Sequence, residues 1–294
     1  MATNTIAGVN LAAIAQESLP YASSVFAPLA AFTTDFSADI AANGASVTTR
    51  IPTRPTAVDL SSGYTQQDTA MTAKTITLNQ FPGFVWGFND LERSKSAINL
   101  NDLFIRPALE AVGQAVFDYI WNLVVVGNFA TSTTITSANF DRDDLADIAA
   151  TLTATKKAPK SGRSLLVNPT YYASLVKTLN SAEIPGITAQ KTEGVVPRVA
   201  GFDVYETDLA DANAANLQGF AAHKSSLIVA ARSVDSTGFA ESGGEIADVV
   251  VPGLNLPLQW RRWYNQDEGV LKYSLSVLYG ASAGTDTGVR IVSA

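Results

Sequence analysis

The chain is 294 residues long, enough for one large domain or two modest ones, and its 47% hydrophobic and 16% charged residues are typical of a globular protein. It has no cysteine, which excludes disulfide bonds and thiolate metal sites. Its 20 basic and 27 acidic residues give a net charge of −7. An acidic chain is poorly suited to binding the DNA backbone, because such binding needs clustered Lys and Arg.

The sequence carries no targeting or membrane signal. Its first ten residues lack the basic start and apolar core of a signal peptide. No apolar run reaches the roughly 18 residues that a membrane span needs. We therefore expect a protein that is made and folded in a cytosol and has no membrane partner.

Residues 1–43 predict an N-terminal arm. The segment is rich in Ala, and Pro20 and Pro28 are expected to limit any helix to a turn or two between them. Its many large apolar side chains would not stay solvated in a free tail, so we expect an extended arm that lies on a neighbouring subunit rather than a frayed terminus. The candidate contacts are its aromatic residues: Tyr21, Phe26, Phe32 and Phe36.

Residues 44–90 predict a long β-hairpin. Two β-like runs, 45–51 and 74–79, flank a polar middle segment. An isolated hairpin is marginally stable in water, and a long connection without its own core is either functional or disordered. We therefore expect another copy of the chain to hold the tip, with Tyr64 and Met71 as the apolar contacts.

The hairpin leads into an aromatic strand and a long helix. Phe84, Trp86 and Phe88 alternate with other residues and give the strand an aromatic face. A helix is predicted over 102–126, with Pro107 in its first turn. Its apolar stripe recurs at spacings of three or four: Ile105, Leu109, Val112, Val116, Ile120 and Leu123.

The remainder of the chain alternates helices and strands and then ends in strands. The predicted helices are 141–155 and 169–179, the latter capped by Asn168, and a mobile loop is expected at 180–200. The predicted strands are 163–167, 202–206, 227–231, 246–251, 258–265 and 269–280, followed by an edge strand in the tail.

The motifs of enzymes and metal sites are nearly absent. Gly280–Gly284 matches G-x-S-x-G, but that chemistry needs a downstream histidine, and the only one, His223, lies upstream; we read the string as a turn of small residues and His223 as a surface or packing residue. Four aspartates at 141, 143, 144 and 147 fail the EF-hand spacing and suit a helix's first turn. The tryptophans read as core and interface anchors. We therefore predict no catalytic, cofactor-binding or metal-binding residue.

Several strings, in this order and spacing, resemble the major capsid (coat) protein of tailed bacteriophages. They are LPYASSVFAPLAAFTTDFS (19–37), GASVTTRIP (44–52), GYTQQD (63–68), TITLNQFPGFVWGFNDLE (75–92), LLVNP (165–169), VAGFDVYETD (199–208) and AAHKSSLIVAAR (221–232). The resemblance covers nearly the whole chain.

The resemblance implies an α+β fold of five parts. These are an N-terminal arm (1–43), an extended loop formed by the hairpin (44–90), a peripheral domain with a long spine helix (91–127), an axial α/β domain (128–252), and C-terminal strands that return to the peripheral domain (253–294). Some members carry an N-terminal scaffolding segment, and since this chain enters the arm almost at once, such a segment is expected to be missing or already removed. Some members also join neighbours by a Lys–Asn bond, but no motif supports pairing Lys74 with Asn255.

The function implied by the resemblance is structural. Such a protein would assemble in the host cytoplasm into pentamers and hexamers of itself, forming the icosahedral shell of a virion. The shell would enclose double-stranded DNA without sequence-specific binding, and a scaffolding protein and a portal are the expected partners. The alternatives are an encapsulin-like compartment shell or another phage structural component, separated by nucleic-acid content, and an enzyme with an accessory hairpin, which would need a pocket of convergent polar groups.

Overall fold

The computed structural model describes residues 11–35, 46–52, 57–61, 63–64, 71–95, 100–179, 196, 198–208, 213 and 216–293. Its helices are α1 (Leu11–Glu17), α2 (Leu19–Ala30), α3 (Asp90–Lys95), α4 (Leu100–Trp121), α5 (Arg142–Ala154), α6 (Pro169–Thr178) and α7 (Thr237–Glu241). Its strands are β1 (Thr33–Asp35), β2 (Ser46–Pro52), β3 (Met71–Thr77), β4 (Gly83–Asn89), β5 (Ser132–Thr134), β6 (Arg163–Val167), β7 (Asp203–Glu206), β8 (Leu217–His223), β9 (Leu227–Arg232), β10 (Glu245–Val251), β11 (Leu256–Asn265), β12 (Val270–Ser276), β13 (Leu278–Ala283) and β14 (Gly288–Val292).

The described strands form four sheets. An antiparallel sheet has the order β10-β11-β12-β4, and a mixed five-stranded sheet has the order β5-β14-β8-β6-β7. A three-stranded sheet has the order β1-β9-β13. The chain connects it to the five-stranded sheet twice, from β8 to β9 and from β13 to β14. The hairpin β2-β3 is the fourth sheet, so helices and strands together make the predicted α+β fold.

The long helix α4 packs its apolar stripe into the main core together with the four-stranded sheet. Ile105, Leu109, Val112, Val116 and Ile120 are all buried, as the spacing predicts. The helix begins at Leu100 and ends at Trp121, earlier than predicted at its C-terminal end, and Pro107 lies inside it rather than in its first turn. The side-chain amide of Asn213 donates to the carbonyl oxygen of Trp121 (3.2 Å), the last residue of the helix, and to that of Val124 (3.1 Å) in the turn that follows.

Helices α5 and α6 cover the five-stranded sheet and form a second core. The inward side chains of α5 are Leu145, Ile148 and Leu152, as predicted. Asp141 caps α5 by accepting from the amides of Asp143 (2.9 Å) and Asp144 (3.1 Å). Asn168 caps α6 by accepting from the Tyr171 amide at 3.0 Å. These local signals place both helices close to their predicted bounds.

The arm departs from its predicted extended form. Helix α2 runs through both prolines: Pro20 occupies the first turn, where a backbone N–H is unpaired in any case, and Pro28 lies near the C-terminal end. Helix α2 crosses α4 at Gly113, where a Cβ atom would lie only 2.2 Å from Cγ1 of Val25. The two helices are therefore in close contact within one subunit.

The C-terminal strands also differ from prediction. Residues 269–280 do not form one strand: the chain changes sheets at Val277, whose amide donates to the carbonyl oxygen of Pro82 at 3.1 Å. The tail strand β14 lies inside the five-stranded sheet, between β5 and β8, rather than at an edge. Its partner β8 was missed, because the small residues in Leu217–His223 resemble a loop. The bounds and sheet positions of these strands depend on pairing between segments distant in the chain, which leaves little trace in the local sequence pattern.

Candidate assembly surfaces

The hairpin is attached to its own subunit by one face at one end. Val47 and Ile76 are directly paired and buried, and they pack on Ile228 and Ala230 of β9. The opposite face points to solvent and is rich in hydroxyl groups; Thr48 and Thr75 share a hydrogen bond of 3.2 Å there. The base of the hairpin is therefore anchored, while one whole face remains available for contact.

A close backbone approach fixes the point where the hairpin leaves the body. A Cβ added to Gly280 would lie 2.0 Å from the carbonyl oxygen of Thr77. Beside it, Gln80 and Tyr279 exchange backbone hydrogen bonds of 3.1 and 3.0 Å. Only a residue without a side chain allows β3 to pass this near to β13. The Gly280–Gly284 string, predicted as a turn, thus lies largely in strand β13 and has a packing role.

The far end of the hairpin carries exposed apolar side chains. Tyr64 is 92% exposed and Met71 is 61% exposed. Val58 and Leu60, which sequence reasoning missed, are also about half exposed; their position beside the polar residues Asp59 and Ser61 is the signal that could have found them. Monomeric proteins rarely leave several large apolar groups together in water, so this set is a candidate contact surface, named here the hairpin tip (57–61, 63–64 and Met71).

Local hydrogen bonds shape the tip without giving it a core. The Asp59 carboxylate accepts from the Ser61 amide at 2.9 Å, and this backbone bond, with a further one from the Ser61 hydroxyl, lowers the pKa of Asp59. Gly63 has a φ of +130°, a conformation that side chains rarely adopt. The tip therefore has defined turns, while its apolar side chains are exposed and belong to none of the buried cores of the described residues.

The predicted arm contacts divide into two kinds. Tyr21 is 50% exposed, and the guanidinium of Arg106 lies 6.0 Å from the centre of its ring. Phe26 and Phe32 are buried in the subunit's own core, where Phe32 meets the edge of the Phe220 ring at 5.8 Å. The prediction that Phe26 and Phe32 pack on a neighbour is thus corrected, because folding α2 onto α4 encloses them. Phe36 lies outside the described residues.

The tryptophans act as anchors, most of them within the core. Trp86, Trp121 and Trp260 are buried, and Trp263 meets the edge of the Phe239 ring at 5.6 Å. In strand β4, Trp86 and Phe88 of the predicted aromatic face are buried, while Phe84 and Val85 are exposed, as is Phe81 just before the strand. The period-two pattern correctly assigned the strand, but it could not show that β4 lies at the sheet's edge.

The residues considered for chemistry have structural partners. Nδ1 of His223 lies 2.9 Å from the Ser225 hydroxyl. Ser282 lies in strand β13, where it is paired with Ile228 of β9. Across the described ranges, no group of three or more His, Cys, Asp or Glu is arranged to hold a metal ion. In the same ranges no helix is long and apolar enough to cross a membrane. Asn255 donates to the Asp35 carboxylate at 2.6 Å, while Lys74 lies partly buried in the hairpin.

Comparison with known proteins identifies the fold. No protein-family model and no curated protein matches this chain. A structure from Mycobacterium phage Che8 matches with a TM-score of 0.60 and 18% identity over 85% of both chains. The capsid of the cyanophage P-SCSP1u matches with a TM-score of 0.62 and 13% identity over 89% of this chain and 86% of that chain. A virus-like particle from Pyrococcus furiosus gives 0.55 and 13% over 94% and 98%, respectively. The fold implied by the sequence resemblance is confirmed: the chain has the fold of phage capsid proteins.

Proposed function

We propose that this chain is the major capsid protein of a tailed bacteriophage and that its function is to build a closed shell. The observation that carries the proposal is the match of nearly the whole chain to phage capsid structures, including one that covers 89% of it. Because most of the chain is matched, the proposed role belongs to the whole fold rather than to a shared module.

The proposed subunit has five parts that correspond to roles in a shell. Residues 1–43 form the arm, 44–90 the extended loop, 91–127 the peripheral domain with α4 as its spine, 128–252 the axial domain, and 253–294 the strands that return to the peripheral domain. The apolar core around α5 and α6 comes mostly from 128–252 and supports an axial part, while the core around α4 is shared with side chains of that segment such as Phe220 and Leu227.

Assembly in this proposal proceeds by burial of apolar surface. Tyr21, Tyr64 and Met71 are exposed in the subunit and contact neighbouring copies in pentamers and hexamers. Burial contributes about 25 cal/mol per Å² of apolar area, offset by the cost of ordering the partners. Each contact can be weak, because every subunit makes several of them.

The proposed shell encloses double-stranded DNA without reading its sequence. A net charge of −7 supports this role, since an acidic wall repels the phosphate backbone instead of holding it. In the same proposal the virion is the final location, the host cytoplasm is the place of assembly, and a scaffolding protein and a portal are partners. No catalytic step is part of the proposed role.

An encapsulin-like compartment is the second candidate, because a virus-like particle from Pyrococcus furiosus has the same fold and the fold alone does not separate the two functions. Nucleic-acid content separates the two. Particles isolated from infected or producing cells, treated with nuclease and then opened, are expected to release protected double-stranded DNA. Particles that release a protein cargo and no protected DNA would overturn the phage assignment and favour the compartment.

A further inference from the structure

Two crossings connect the five-stranded sheet to the three-stranded sheet, and they lie side by side. Residues 224–226 link β8 to β9, and 284–287 link β13 to β14. Their backbones are joined directly: the Gly284 amide donates to the carbonyl oxygen of Ser226 at 2.8 Å, and the Thr285 amide donates to that of Ser225 at 3.1 Å. The crossings therefore behave as one joint between the two sheets.

A cluster of side chains bridges the same joint. The Ser225 hydroxyl lies 2.9 Å from Nδ1 of His223 and 2.8 Å from the Thr285 hydroxyl, and the latter lies 3.1 Å from the Thr287 hydroxyl. The Ser225 amide also donates to Nδ1 at 3.2 Å. Because a backbone N–H can only donate, Nδ1 must be an acceptor, so the His223 ring is neutral and carries its proton on Nε2.

The joint also supports the N-terminal segment and the hairpin. The Thr34 hydroxyl donates to the carbonyl oxygen of Lys224 at 2.9 Å, and the Ser226 hydroxyl donates to that of Phe32 at 3.3 Å. The hairpin base packs on Ile228 and Ala230, in the strand that begins just after the joint. A change at the joint would thus reach the sheet that carries the hairpin.

The charges that face His223 are mainly positive. Arg163 is its direct partner in the β6–β8 register, and Lys224 follows it in the chain. The Arg163 guanidinium is bound by uncharged acceptors: the carbonyl oxygens of Pro159 (2.7 Å), Ala149 (3.1 Å) and Ala158 (2.7 Å), and the Thr153 hydroxyl (2.9 Å). Asp286, which precedes Thr287 in the second crossing, is paired with Lys156. Burial first, and then the charges of Arg163 and Lys224, lower the pKa of His223.

We propose that His223, Ser225, Thr285 and Thr287 form a proton-sensitive latch, which holds the two crossings together at neutral pH and loosens when the histidine takes up a proton. A protonated Nδ1 no longer accepts from the Ser225 amide, so that N–H loses its partner. The same proton places a second cation beside Arg163. These contacts all lie within one subunit, so the latch does not depend on the shell function.

The direction of the pH effect follows from linkage. A histidine in the open joint has an ordinary pKa of about 6.5, while the latched pKa is lower. The latched form therefore binds a proton more weakly than the open form, and the population of the open form rises as the pH falls below about 6.5. The opening constant rises by at most about tenfold for each unit that separates the two pKa values.

Hydrogen exchange on the full chain tests the latch at single amides. Between about pH 7.5 and about pH 5, protection factors of Gly284 and Thr285, corrected for intrinsic exchange, are expected to fall, while the Phe220 amide in the central strand β8 keeps its protection. His223→Asn offers an oxygen acceptor near the Nδ1 position without a titrating group, so its protection is expected to be the same at both pH values. Unchanged protection in the natural chain, or an equal loss in His223→Asn, would overturn the proposal.

A second measurement needs no variant. His223 is the only histidine, so its ring gives one assignable NMR signal in the full chain. The signal is expected to titrate below about pH 6.5, together with changes at the Ser225 and Thr285 amides. Titration at or above about 6.5, or without any change at those two amides, would contradict the latch even if His223→Asn failed to fold.

Discussion

The rings of Trp86 and Tyr273 stack across the neighbouring strands β4 and β12, with centroids 5.8 Å apart and planes only 14° apart. The rings of Trp260 and Trp86 are nearly perpendicular with centroids 6.0 Å apart, so three aromatic residues from three strands form one contact layer in the main core. The indole nitrogens of Trp86 and Trp260 are buried without hydrogen-bond partners in the described part of the chain. Their contribution therefore comes from packing.

Replacing Trp86 with Ala is expected to lower the free energy of unfolding by about 3 to 5 kcal/mol, because it leaves a cavity between the sheet and α4. Phe84→Ala is the matched control in the same strand, since that ring is 37% exposed and can lose less buried area. Urea denaturation followed by tryptophan fluorescence and circular dichroism measures both variants. Equal losses in the two would contradict the central position of Trp86.

The arm residues predict a separation between folding and assembly. Phe26→Ala is expected to lower the melting temperature of the free subunit, because its ring is only 1% exposed and packs within the subunit. Tyr21→Ala is expected to leave that temperature nearly unchanged and to reduce the yield of particles, since the ring is half exposed. Calorimetry of the subunit and light scattering during assembly check the pair. A stable Phe26→Ala subunit would show that its ring packs elsewhere.

Tyr64 predicts a contact that exists only between copies. Tyr64→Ala is expected to weaken particles while leaving the melting temperature of the subunit unchanged, because the ring is 92% exposed there. Tyr64→Phe keeps the apolar ring and is expected to assemble nearly as well as the natural chain. Particle stability in increasing urea is the measurement. Unchanged particle stability in Tyr64→Ala would remove this residue from the proposed contact surface.

Gly280 predicts a steric requirement at the root of the hairpin. Gly280→Ala is expected to destabilise the subunit or displace β3, because the added Cβ would lie 2.0 Å from the Thr77 carbonyl oxygen. Relieving that clash requires backbone atoms to move, which costs more free energy than a side-chain rotation. Gly238→Ala is the control, since a Cβ there has no neighbour within 4 Å and lies in a helix. Comparing hydrogen exchange of the hairpin amides in the two variants gives the answer: equal protection would show that the contact can relax.

Sequence patterns predicted the elements whose signals are local. Asp141 and Asn168 cap helices close to where their types and positions indicate, and the alternation around Trp86 identifies a strand. The patterns failed where distant contacts decide. Pro20 and Pro28 suggested a broken arm, yet packing of α2 against α4 supports a continuous helix across both. Similarly, only pairing with remote strands places β14 inside its sheet.

The contact surfaces were predictable only in part. The polar surroundings of Tyr64 and Met71 indicated exposure, and both are exposed. Phe26 and Phe32 lie in the same Ala-rich segment as the exposed Tyr21. The sequence pattern alone does not show whether an aromatic ring packs in its own core or against another subunit. The residues of the His223 joint carry no motif, because they come together from segments about 60 residues apart along the chain.

Electron microscopy of the purified full chain tests the central claim most directly. The account predicts closed icosahedral particles in which the hairpin tip of each subunit, including Tyr64 and Met71, is buried against an adjacent copy. Hydrogen exchange would then show fast tip amides in the free subunit and slow ones in the particle. A monodisperse monomer at high concentration, or particles whose tips remain in solvent, would contradict it.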